Sequence, residues 1–241
     1  MANLSPFKKI LLSISALGIL AAAVGGGTFA TFNATTSNPN NTFTTGTLVL
    51  SDKVNSGTTC YSSGGAGGSV GALNSNSGCD TIFSLANQAP GAEDHSGHVT
   101  IKNEGNLGVD ANGLQLWSSA CTGANNSGTT QHGTGNLCSA SGPNAIEFYV
   151  QETASDFTTA TSCVYGGGTA TTCAYDASHT LGDFATNHSA QGSSVHITPF
   201  DASTHSTHYF VFGVKLDSTA DNSVQGLSVG NITYTWYVSQ P

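Results

Sequence analysis

Tyr209-Phe-Val-Phe-Gly-Val-Lys-Leu216 places Phe210, Phe212, Val214 and Leu216 on one parity and Lys215 on the other. That is the two-residue repeat of a strand with one buried face. Asn231-Ile-Thr-Tyr-Thr-Trp-Tyr-Val238 repeats the pattern, setting Ile232, Tyr234, Trp236 and Val238 against Thr233, Thr235 and Tyr237. Seven further stretches read the same way, at 42–50, 81–85, 98–103, 113–117, 145–151, 162–165 and 194–200. Joined by turn-rich segments, these strands predict an all-β fold, an antiparallel sandwich or jelly roll. Helical periodicity is weak, and only residues 179–190 have room for a turn or two of helix. No repeat with a period of 20–50 residues is evident, which argues against a solenoid.

Residues 56–78, 122–136 and 165–172 read as loop insertions, because a composition dominated by Gly, Ser, Thr and Asn cannot bury enough apolar area to fold alone. Cys60, Cys79, Cys121, Cys138, Cys163 and Cys173 lie at or near their edges. An even set of cysteines in an exported chain predicts a disulfide framework, and six of them allow 15 pairings. The consecutive pairing is favoured because each pair then brackets one insertion, and closing loops of that size contributes about 3 kcal/mol each on the chain-entropy model. No pair has the two-residue spacing of a zinc knuckle.

The N-terminus carries an export pattern. Lys8 and Lys9 precede an apolar run from Ile10 to Val24, which has the length of a signal-peptide h-region and is short for a bilayer span. Gly25, Gly26 and Gly27 break it, and Ala30 offers a small residue at the cut. Residues 1–30 are therefore expected to be removed by a signal peptidase, leaving 31–241 as one secreted domain, extracellular or on the cell surface, with no stable membrane insertion after cleavage. The mature chain would begin Thr31-Phe32 and run directly into the 42–50 strand pattern, so its free end is a strand former. Removing the signal leaves three lysines, no arginine and 14 acidic residues, a net charge of −11. Such a chain lacks the cation clusters that nucleic acid requires.

Candidate chemistry is sparse. His95-Ser-Gly-His98, beside Glu93 and Asp94, and His205-Ser-Thr-His208 are the nearest approaches to a metal site. Residues three apart on a strand face opposite sides, so neither pair is pre-arranged to chelate. Ser69 in Gly67-Gly-Ser-Val-Gly71 matches a nucleophile elbow formally but lacks the flanking strand and helix. Glu147 and Glu152 have odd spacing and should fall on opposite faces of a strand. No catalytic, cofactor-binding or metal-binding residue is assigned, and no cofactor is expected. Sequons at Asn33, Asn40, Asn125, Asn187 and Asn231 matter only in a glycosylating host.

Three separated segments together resemble the TasA/camelysin family of exported bacterial matrix proteins, which has relatives among archaeal bundling pili. They are Gly26-Gly-Thr-Phe-Ala-Thr-Phe-Asn33 running into Asn41-Thr-Phe-Thr-Thr-Gly-Thr-Leu-Val-Leu50; Ala89-Pro-Gly91 with Val99-Thr-Ile-Lys-Asn-Glu-Gly-Asn-Leu107; and Ile232-Thr-Tyr-Thr-Trp-Tyr-Val-Ser-Gln240. The cysteine-bearing insertions have no counterpart in that pattern. The resemblance implies a jelly-roll subunit that polymerises with itself, head to tail, into extracellular filaments of a biofilm matrix or pilus by donor-strand complementation, with accessory matrix proteins as further partners. Residues 31–45 would be the donor strand, and Thr31, Phe32, Phe43, Leu48 and Leu50 the polymerisation residues. A strand-forming free end could pair with a neighbour's sheet edge while Phe32 and Phe43 fill pockets in its core, and contacts of that kind do not close. Two other classes stay open: a monomeric adhesin or carbohydrate-binding module using Tyr61, Trp117, Tyr165 and Tyr175, and a secreted metalloprotease of the kind the camelysin resemblance implies.

Overall fold

In the computed structural model most of the alternating segments supply strands of two facing antiparallel sheets, whereas of 42–50 only Leu50 does so, at the start of a strand that runs on to Val54. The structure describes residues 48–62, 65–66, 79–85, 88–125, 133–200, 206–230 and 232–240, all within the unit Gly46–Pro241. The expected signal peptide 1–30 and the donor segment 31–45 lie outside the described residues.

In chain order the strands are β1 (Leu50–Val54), β2 (Cys60–Tyr61), β3 (Gly65–Ala66), β4 (Glu93–Asn103), β5 (Leu114–Ser118), β6 (Gly123–Asn125), β7 (Ile146–Thr153), β8 (Ala160–Tyr165), β9 (Gly167–Gly168) and β10 (Cys173–Ala174). A short helix, α1 (Leu181–Asn187), then leads to β11 (Val195–Ile197), β12 (Thr207–Leu216), β13 (Leu227–Val229) and β14 (Tyr234–Tyr237). The larger sheet has seven strands in the order β3-β2-β1-β4-β12-β7-β8, and the facing sheet has three, β11-β5-β14. Two small ribbons, β10-β9 and β13-β6, complete the set.

Register decides which side chains meet. Phe212 sits opposite Val150 on β7 and Gly97 on β4, while Leu50, Asp52 and Val54 of β1 face Asn103, Ile101 and Val99. The inner face of the seven-stranded sheet therefore carries Leu50, Val54, Val99, Ile101, Phe148, Val150, Phe210 and Phe212, all buried. Trp236 of β14 stacks near Phe210 at 4.8 Å between ring centres, and Tyr234 meets Phe212 edge-on at 5.1 Å. At the other side of the small sheet, β11 approaches β8. Against β4 the register of β12 slips between Phe212 and Val214, at Gly213, where a Cβ would stand 2.2 Å from the Tyr149 ring. Val214 and Leu216 are only half-buried, and Val211, of the opposite parity, is buried opposite Gln151 on the other face.

α1 is too short to persist on its own. Thr180 caps it, its Oγ1 accepting from the Asp183 N–H at 3.0 Å, and Phe184 packs edge-on against Phe148 and Tyr165. The Tyr165 hydroxyl lies 2.7 Å from Asp183 Oδ2 and 3.2 Å from the Thr180 carbonyl, which fixes the helix to the end of β8.

Two expectations need correction. Residues 81–85 form no strand: Ile82 and Phe83 lie directly across Gly97, whose Cβ would come within 2.6 Å of Ile82 Cγ2, so the segment crosses the sheet face instead of pairing with an edge. The insertions are not free of strand either, since β2, β3, β6 and β9 lie within them. Main-chain pairing needs no apolar side chain, so these two- and three-residue strands leave no periodic trace.

The disulfides are Cys60–Cys79, Cys121–Cys138 and Cys163–Cys173, the consecutive pairs. The third closes a hairpin that folds over the outer face of β7. There Gln151 is buried; its Nε2 donates to the carbonyls of Ser162 and Glu152 at 2.7 Å and of Thr171 at 3.1 Å, and its Oε1 accepts from the Cys173 N–H at 2.6 Å.

Candidate functional site

Of the residues expected to mediate polymerisation, Thr31, Phe32 and Phe43 lie outside the described residues. Leu48 and Leu50 belong to the subunit's own sandwich. Leu50 is buried in β1, and its backbone N–H and C=O are taken by Ser62, the hydroxyl at 3.1 Å and the N–H at 2.9 Å. Leu48 packs on the same core, and the Val49 carbonyl accepts from the Glu104 N–H at 2.8 Å.

The two sheets differ in width, and the difference has a direction. β11 approaches β8 and β14 lies over β12, so the outer edge of β14 points toward β4 and β1. Among the described residues β14 is paired on one side only, with β5. Ile82 and Phe83 pack on the inner face of the larger sheet at Gly97, and Phe83 meets the Phe212 ring edge-on at 6.4 Å. The ground beside β14 is thus apolar below and covered in part by an irregular segment.

Asp52 interrupts that apolar ground. It alternates with Leu50 and Val54 and faces Ile101 and Cys60, so its carboxylate points inward. Its Oδ1 is buried without a hydrogen-bond partner. Burial, and secondarily the charge of Asp80, push its pKa up to about 7. Asp80, exposed, accepts through Oδ2 from the Thr58 N–H at 2.9 Å. Asp52 is not among the expected site residues, and the row Leu48, Leu50, Asp52, Val54 carries its only signal: one acid on the apolar parity of a strand.

The histidines are dispersed. His98 points to the outer face of the larger sheet and stacks on Phe157 at 4.4 Å between ring centres; burial, then His95, hold its pKa below the usual imidazole value. Phe157 has a positive φ of 55° and meets Tyr209 edge-on. His208 Nδ1 pairs with Glu152, and the Phe200 ring packs against it. His205 and Ser69 fall outside the described residues. Among the described residues no three His, Cys, Asp or Glu side chains converge as a metal site. Glu152 and Glu147 do sit on opposite faces, and Lys215 Nζ reaches Glu147 Oε2 at 2.8 Å.

The aromatics considered for sugar stacking differ in their exposure. Tyr165 is buried, Trp117 leans on Tyr237 at 5.9 Å, and the Tyr175 hydroxyl lies 3.1 Å from the Asp94 carbonyl. Tyr61 is half-buried in β2.

Set against known proteins, the chain matches no family model and no curated sequence. The resemblance to the TasA/camelysin family rests on its three motifs alone.

Proposed function

We propose that this chain is an exported structural subunit that polymerises head to tail outside the cell, each copy giving residues 31–45 as a strand to the next. The observation that supports this most is the unequal pair of sheets: β14 is paired on one side among the described residues, its other edge points over β4 and β1, and the ground below is apolar. A strand added beside β14 would extend the three-stranded sheet across that ground, with main-chain hydrogen bonds on one side and alternate side chains in the core. Three disulfides suit an oxidising compartment. Among the described residues no helix is long and apolar enough to cross a membrane.

The placement of Leu48 and Leu50 in the subunit's own core narrows the donated segment to residues before 48. Phe43 is its inward anchor. An Asp at that position would bury an unpaired carboxylate at a cost of several kcal/mol, whereas an Asp at Thr44, on the opposite parity, would stay solvated. Sedimentation under conditions where the parent protein pellets tests this. Phe43→Asp should remain in the supernatant and Thr44→Asp should pellet; normal pelleting of both would show that this segment does not mediate assembly.

A further inference from the structure

Asp52 is placed where a charge is costly, and the group nearest to it in kind sits on the segment that covers the same face. Cys79 ties residues 79–85 to β2 through Cys60, Asp80 follows at once, and Ile82 and Phe83 then lie on Gly97. Asp80 has little freedom to turn away, because its carboxylate is held by the Thr58 N–H and stands where a Cβ on Gly57 would be, 2.1 Å from Oδ2.

The surroundings of Asp52 hold no compensating cation among the described residues. On β1, Ser51 and Lys53 project from the other face. On β2, Cys60 faces it and Tyr61 does not. On β4, Ile101 lies opposite, and Lys102 turns outward to Glu104 at 2.9 Å. Residues 79–85 bring one titratable group, Asp80.

We propose that Asp52 and Asp80 form a pH-operated latch, holding residues 79–85 across the inner face of β1 and β4 while Asp52 is protonated and letting the segment lift when both carboxylates are ionised. Protonated, Asp52 is a neutral group that tolerates burial beside Ile101. Ionised, the half-buried Asp52 is short of solvation at its buried Oδ1, and it repels Asp80 on the covering segment. Lifting the segment opens the buried side of Asp52 to water and moves the Asp80 charge away from it, and the Cys60–Cys79 bridge keeps the lifted chain attached at one end. The sign follows from linkage: the closed form keeps the proton up to about pH 7, whereas in the open form Asp52 titrates near the ordinary carboxyl value. The opening equilibrium therefore grows about tenfold per pH unit between roughly pH 5 and 7 and levels off above that. The uncovered surface is the one on which the assembly reading relies, but the latch is a property of the single subunit.

Hydroxyl-radical footprinting of the mature secreted protein, read by mass spectrometry, tests it. Oxidation of Ile82 and Phe83 should rise at least threefold from pH 5 to pH 8, while the fully buried Phe148 stays constant. In Asp52→Asn the rise should vanish and the segment should stay covered at both pH values. In Asp80→Asn the rise should persist with its midpoint moved to lower pH, which keeps the test decisive if Asp52→Asn folds poorly. Equal oxidation of Phe83 at pH 5 and pH 8 in the parent protein, an undiminished rise in folded Asp52→Asn, or an unmoved midpoint in Asp80→Asn would each overturn the latch. Sedimentation of the same samples reports assembly separately, so a chain that never polymerises can still show the latch, and the reverse.

Discussion

Replacing Gln151 by Leu should lower the thermal midpoint by about 4–12 °C. The side chain is 6% exposed and ties the Cys163–Cys173 hairpin to β7 through its amide. Leucine matches it roughly in volume and brings no polar atom, so the loss is one of hydrogen bonding. The Cys173 N–H and the Ser162 carbonyl, both in half-buried residues, lose their partner; each orphaned group costs about 1–3 kcal/mol. Thr171 is exposed, and its carbonyl can return to water. Part of the penalty is offset by the buried apolar side chain, leaving a net of about 2–3 kcal/mol. For a domain of this size each kcal/mol lowers the midpoint by about 2–4 °C. Differential scanning calorimetry of oxidised protein reads the shift, with Thr171→Ala as a control expected to move less than about 2 °C. A drop below about 2 °C for Gln151→Leu would show that the disulfide alone holds this hairpin and that the amide network is incidental.

Freshly secreted protein, denatured without reductant, should show no thiol accessible to alkylation, because all six cysteines are paired; mass spectrometry counts the adducts. Gly213→Ala should destabilise the domain by about 2 kcal/mol or more in urea unfolding, since the new methyl meets the Tyr149 ring and a packed neighbour must move. For Asp52 the folded pKa lies above the unfolded one, so its contribution is fully present below about pH 3.8 and lost as pH rises to about 7. Measured against Asp52→Asn, the parent protein should therefore lose about 2–4 kcal/mol of relative stability between pH 4 and pH 8, and a constant difference would refute the buried-acid assignment.

The alternation in 209–216 and 231–238 was enough to find β12 and β14, because each keeps one face on a core of Phe and Trp side chains. What the pattern does not carry is anything decided by the main chain or by a single polar group. Thr81-Ile-Phe-Ser-Leu85 alternates as well as a strand does, yet Cys79 and Asp80 pin its start beside β2 and send it across the sheet. The two-residue strands β9 and β10 pair through backbone groups in a Gly- and Thr-rich run with no apolar parity to read. Gln151 looks like one more polar residue on a strand, and only the folded hairpin shows that it is buried. Asp52 was legible: an acid on the same parity as Leu48, Leu50 and Val54 conflicts with its neighbours, and conflicts of that kind mark functional positions more often than they mark errors.

Assembly as proposed depends on the free N-terminal segment joining one subunit to the next. Negative-stain electron microscopy of the mature protein beginning at Thr31, beside the same protein lacking residues 31–41, tests it most directly. Long filaments are expected from the first and monomers or short oligomers from the second. Filaments of equal length from both would contradict it.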